Sequence, residues 1–73
     1  MNIVTKEDVG GKLKERRLQL GMTQRQVASA VGMAQPVYQR LESGKFECSY
    51  AQLFLLCRLF DLSADYLLGL SDY

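Results

Sequence analysis

The sequence contains no histidine. Without an imidazole it can hold neither a Ser-His-Asp triad nor a histidine-ligated zinc. It has only two cysteines, Cys48 and Cys57, which are too few for a disulfide-rich secreted scaffold or a four-cysteine zinc site. Their spacing is not C-x-x-C, so they are expected to be reduced thiols of a cytoplasmic protein. No stretch approaches the ~20 uninterrupted apolar residues that a membrane span needs. Residues 1–7 lack the apolar run of a signal peptide. There is one proline, Pro36, and there are no repeats, linkers or low-complexity segments. A phosphate loop and a catalytic carboxylate pair are also missing, which argues against an enzyme.

What remains is a short globular chain. It has 73 residues at 8.3 kDa, 48% hydrophobic and 23% charged. This is one domain over residues 1–73, with a thin core and no room for a separate ligand domain. No metal, cofactor, small-molecule ligand or membrane partner is expected. The net charge is only +1, but it is unevenly spread. Residues 1–45 carry eight basic side chains against four acidic ones, and residues 46–73 carry Arg58 against four acids. A basic first part suggests a face for a polyanion.

Apolar residues recur at helical spacing, and nothing alternates with period two, so the fold is expected to be all-α with five short helices. Thr5 can cap the first, with Val9, Leu13 and Leu20 on its core face. Gly10 and Gly11 would loosen its start, and Gly21 ends it. Thr23-Gln24-Arg25-Gln26 is a capping box that opens a second helix, with Val27, Ala28 and Val31 inward and Gly32 as its stop. In the third, Gln35 is the expected cap, Pro36 the first helical residue, and Tyr38 and Leu41 the core positions. Ser49-Tyr50-Ala51-Gln52 is a second capping box. It opens a fourth helix with Leu53, Leu56, Cys57 and Phe60 inward. Because Phe54, Leu55 and Leu59 make that helix apolar nearly all round, it is either central or at an interface. Ser63 caps a fifth, through about Leu68.

The second and third helices, joined by Val31-Gly32-Met33-Ala34, form a helix-turn-helix unit over about residues 23–43. Small Ala28 allows a close crossing, and Gly32 permits a backbone shape that a β-carbon resists. Four strings, LKERRLQLGMTQ, VASAVGM, YQRLESGK and LCRLFDLSADYL, occur in this order. With them the sequence resembles the phage-repressor-like helix-turn-helix family, also called Cro-like or XRE, over roughly residues 9–68. The resemblance implies a compact five-helix, lambda-repressor-like DNA-binding domain.

It also implies roles for single residues. Arg17 and Glu42 would form the ion pair that pins the third helix to the scaffold. Thr23, Gln24, Ser43 and Lys45 would touch DNA phosphates. Gln35, Val37 and Arg40 would face the bases, with Pro36 and Gln39 beside them. That chemistry is sensible, since Gln can pair with adenine, Arg with guanine, and Val can touch a thymine methyl. Gln35 as a pure cap and Arg40 as a phosphate contact remain alternatives. Several residues depart from the family pattern. Pro36 removes a donor near the DNA. Tyr38 must bring its hydroxyl to the core edge or to a partner. Cys57 stands for a usual alanine, and Phe46-Glu47-Cys48 lies where relatives are often basic.

The expected function is therefore a sequence-specific regulator of transcription, a repressor, binding a palindromic operator in double-stranded DNA as a homodimer. Leu62, Ala64, Tyr66, Leu70 and Tyr73 are the candidate dimer surface. The setting would be the cytoplasm of a prokaryote or a phage host, with the protein on the nucleoid when bound. The competing reading is a protein-interaction module of the same fold that has lost DNA binding.

Overall fold

Serine and threonine hydroxyls start four of the five helices in the computed structural model, which describes residues 4–72. The helices are α1 (Lys6–Gln19), α2 (Gln24–Ala30), α3 (Gln35–Glu42), α4 (Tyr50–Phe60) and α5 (Ala64–Leu67). The Asp8 N–H donates to the Thr5 hydroxyl at 3.1 Å, and the Thr5 N–H donates back to the Asp8 carboxylate at 3.0 Å. Thr23 with Gln26 and Ser49 with Gln52 close the same reciprocal box, and Ser63 caps α5. Each box pairs donors that a helix start would otherwise leave open.

The start of α3 differs from expectation. Its cap is Ala34, which has no side-chain acceptor, and Pro36 is the second helical residue rather than the first. Gln35 lies inside the helix, with its side chain turned to Gln24. Proline at either position deletes an N–H that would have been unpaired, so a capping oxygen has less to offer there.

The core is Leu13, Val27, Ala28, Val31, Tyr38, Leu41, Leu56, Phe60 and Leu67. α1 packs against α3 and α5, α2 against α3, and α4 against α5. Gly32 ends α2 at φ +67°, and the Met33 N–H reaches back to the Ala28 carbonyl at 2.8 Å. This αL closure turns the chain sharply into α3. Among the described residues there is no strand, and no helix is long and apolar enough to cross a membrane.

Three expectations need correction, and one pair of alternatives is narrowed. Leu20 is 43% exposed at the C-cap of α1, beyond the core face. The position four residues after Leu13 is taken instead by Arg17, which is buried. Gly10 is not a frayed start but a buried contact, where an added Cβ would overlap the carbonyl oxygens of Leu41 and Glu42. α4 is not central. Leu56 and Phe60 are buried and Leu53 and Cys57 half-buried, while Tyr50, Phe54 and Leu55 face solvent. The Tyr38 hydroxyl reaches neither the surface nor a well-placed partner; it is buried without a hydrogen bond of good geometry.

α1 also holds the C-terminal helices by their ends. Arg16 Nε donates to the Phe60 carbonyl at 2.9 Å, and Lys12 Nζ donates to the Tyr66 carbonyl at 2.7 Å while lying 4.7 Å from the Tyr66 ring centre. Cations suit these sites, because the last carbonyls of a helix have no partner within it and carry partial negative charge.

Candidate nucleic-acid interface

A chain of side-chain bonds runs from the scaffold to the outer face of α3. Arg17 meets Glu42 with two parallel bonds, Nε to Oε2 at 2.7 Å and Nη2 to Oε1 at 3.1 Å. The two side chains are 11% and 3% exposed, so the pair is largely shielded from water. Arg17 Nη1 also donates to the Met22 carbonyl at 2.9 Å, tying the turn before α2 to the same guanidinium. The planar fork of arginine is what permits this triple use.

Gln24 extends the chain. Its Nε2 donates to Glu42 Oε1 at 3.1 Å, and its Oε1 accepts from Gln35 Nε2 at 3.2 Å. The orientation follows from chemistry, since a carboxylate only accepts and must face the amide nitrogen of Gln24. Gln24 Nε2 keeps a second N–H.

Charge states follow from these contacts. Burial alone would raise the Glu42 carboxyl, but the bonds from Arg17 and Gln24, with the tyrosine hydroxyl nearby, hold it below the ordinary carboxylate value. The Glu42 hydrogen bond raises the Arg17 guanidinium despite burial. Burial raises the phenol of Tyr38, so it stays protonated beside the pair.

The proposed base-facing residues share one side of α3. Pro36, Gln39 and Arg40 are exposed, while Gln35 and Val37 are half-buried. Tyr38, Leu41 and Glu42 take the opposite side. Of the residues expected at phosphates, Thr23, Ser43 and Lys45 are exposed and Gln24 is half-buried. The Thr23 hydroxyl accepts from the Gln26 N–H, and the Ser43 hydroxyl donates to the Arg40 carbonyl at 3.2 Å.

The residues suggested for dimerisation are not brought together as one open surface. Ala64 and Leu70 are exposed, but Leu62 and Tyr66 are half-buried against the core. Tyr66 is engaged by Lys12, and Tyr73 lies outside the described residues. The larger apolar exposure is on α4, with Tyr50 at 93% and Phe54 at 59%.

Sequence reasoning missed three participants: Gly10, the Gln24–Gln35 bond, and Phe46, whose ring lies 5.3 Å from the Arg40 guanidinium. A signal for Gly10 was present. It stands three residues before Leu13 and seven before Arg17, on the buried stripe. No local signal announces the other two.

Known proteins resemble this chain in sequence and in fold. The sequence profile of the Helix-turn-helix family matches residues 13–67. An uncharacterised HTH-type transcriptional regulator of Bacillus subtilis, YobD, is 34% identical over 61 residues, covering 84% of this chain and 54% of that protein. The chain spans about half the length of the curated relatives it matches. The clp gene regulator ClgR of Corynebacterium glutamicum has a similar structure, with TM-score 0.83 and 27% identity over 90% of this chain and 70% of that one. The P22 c2 repressor, solved in complex with a synthetic operator, gives TM-score 0.79 and 27% identity over 82% of this chain and 91% of that one. With the fold, the paired helices and these likenesses in agreement, the chain belongs to the Helix-turn-helix family, in its phage-repressor-like (XRE) branch.

Proposed function

We propose that this chain binds double-stranded DNA in a sequence-specific way, as a homodimer on a palindromic operator, and represses transcription. The observation that carries the reading is the bonded chain Arg17–Glu42–Gln24–Gln35, which orders the outer face of α3 before any ligand arrives. Such order lowers the entropy lost on binding. The family and the proteins this chain resembles are regulators rather than enzymes. Gln35, Val37 and Arg40 read base edges in the major groove, with Pro36 and Gln39 alongside. Gln24, through its second N–H, and Thr23, Ser43 and Lys45 hold phosphates, which sets register without reading sequence.

Arg40 supplies the strongest readout, because its fork can bond guanine O6 and N7 together. Arg40→Ala relaxes preference at one base pair of each half-site by about 1–3 kcal/mol while the phosphate contacts keep the register. Binding-site selection with both proteins checks this. If the two select the same site with equal stringency, Arg40 is not a base reader. If the wild type selects nothing and its DNA affinity is negligible at low salt, the chain is an interaction module instead.

One unit makes too few base contacts for selectivity, so two copies bind half-sites about 34 Å apart. The outer face of α4, with Ala64 and Leu70 after it, is the surface we assign to that contact. Phe54→Asp shifts the mass seen by light scattering toward monomer and weakens operator binding. Tyr66 is the poorer probe, since its substitution also strips Lys12 of its ring contact. A Phe54→Asp protein that stays dimeric moves the interface off α4.

A further inference from the structure

We propose that Phe46 is a positioning residue for sequence readout: its ring restrains the place and reach of the Arg40 guanidinium. The inference rests on the reading of Arg40 as a base contact. It concerns a residue just past α3.

Arg40 is exposed in the last turn of α3, and among the described residues its guanidinium makes no ion pair or hydrogen bond. Its single recorded side-chain partner is the Phe46 ring, 5.3 Å from guanidinium carbon to ring centre. A free arginine of this kind samples many rotamers and loses them on binding DNA. The cation–π contact removes part of that freedom in advance. A ring offers no hydrogen-bond acceptor of ordinary strength, so the contact leaves the guanidinium N–H groups unpaired for a two-bond contact with a base.

The ring is 42% exposed and rests at the edge of a groove. Phe46 lines an apolar groove together with Val9, Leu41, Cys48 and Leu53. The backbone leading to it is tightly closed. The Gly44 N–H donates to the Leu41 carbonyl at 3.2 Å, and the Lys45 N–H donates to the Arg40 carbonyl at 2.9 Å. Gly44 has φ +76°, and a Cβ there would lie 2.9 Å from Glu7 Cα, so only glycine fits between the turn and α1. The chain therefore doubles back beneath Arg40 and presents the ring from a fixed base.

The test is a double-mutant cycle on the selected operator. Dissociation constants are measured for that operator, for one altered at the Arg40 base pair and for one altered at the Gln35 base pair. The proteins are wild type, Phe46→Leu, Phe46→Tyr, Arg40→Ala and the Arg40→Ala, Phe46→Leu double variant. Phe46→Leu is expected to lower discrimination at the Arg40 pair about two- to fivefold, the range of an exposed cation–π contact. Discrimination at the Gln35 pair and the salt dependence stay as in wild type. Phe46→Tyr keeps wild-type discrimination, and Phe46→Leu has no further effect once Arg40 is alanine. The proposal is overturned if Phe46→Leu leaves discrimination unchanged, lowers affinity equally for all three sequences, or tightens binding, the last meaning that the ring withholds Arg40 from DNA. Should Arg40→Ala itself leave discrimination intact, the base-reading role fails along with this one. An effective Arg40→Ala beside an inert Phe46→Leu removes only the role of Phe46.

Discussion

Glu42→Ala lowers the stability of the domain by about 3–5 kcal/mol, the usual result of removing one partner from a buried ion pair. Arg17 would keep its bond to the Met22 carbonyl but lose both bonds to carboxylate in a site almost closed to water. The damage spreads, because Gln24 loses its acceptor and Gln35 loses a tethered partner. For a domain of ordinary stability, about 5–15 kcal/mol, this is a large fraction. Urea unfolding is the measurement: the midpoint falls and the slope stays constant. An unchanged midpoint would mean that the pair contributes no net stability.

The same carboxylate sets an acid limit. Its value in the folded protein is lowered, so its contribution is fully present above the ordinary glutamate value, about 4.3, and is lost as pH falls through the lower folded value. Asp8, lowered by its bond from the Thr5 backbone, acts in the same direction. Stability therefore declines on acidification below about pH 4.3. In Glu42→Gln that decline is shallower, because only Asp8 of these two groups still titrates.

The second large effect is at Gly10. Gly10→Ala puts a methyl group into the space of the Leu41 and Glu42 carbonyls, and backbone cannot swing aside as a side-chain end can. The cost is about 3 kcal/mol, the upper part of the range for overpacking. Gly11→Ala is the matched control. Nothing lies within 4 Å of its added Cβ, so the change gains about 0.5–1 kcal/mol of helix propensity. At about 4–8 °C per kcal/mol in a domain of this size, thermal melting moves down by more than 10 °C for one and up by a few degrees for its neighbour. Equal shifts of one sign would contradict the close approach of α1 to α3.

Those neighbours illustrate what a linear sequence conveys. The starts of α2 and α4 were legible because a capping box is a contact between residues three apart, as at Thr23 and Ser49, while at Thr5 the cap was legible but not its box with Asp8. The turn at Gly32 and the buried faces of α2 and α3 were legible for the same local reason. The placing of Arg17 beside Glu42 came from resemblance, not from spacing. Leu20 was misplaced because apolar periodicity takes no account of Arg17, a charged residue that can be buried when a carboxylate meets it. Gln35 was misread because its competing partner, Gln24, is distant in local pattern and near only once α2 and α3 cross. Tyr38 was expected to bring its hydroxyl to the core edge or to a partner, yet it lies buried beside Glu42 without a well-aligned bond. The tie between Phe46 and Arg40 depends on a backbone reversal that only the folded chain displays.

The grip of α1 on the distant helix ends bears on how the protein is made. The Arg16 bond to Phe60 joins residues 44 apart, and the Lys12 bond to Tyr66 joins residues 54 apart. Short helices form within about a microsecond, but contacts so far apart must wait until the intervening chain exists and its loop can close. A ribosome adds about 5–20 residues per second. α1 to α3 therefore leave the ribosome seconds before Leu67 can enter the core, exposing Leu13, Val27 and Leu41 in turn. In a nascent chain α3 is present before the scaffold that steadies it, and under the proposed DNA-binding function competence arrives with α5 rather than with α3.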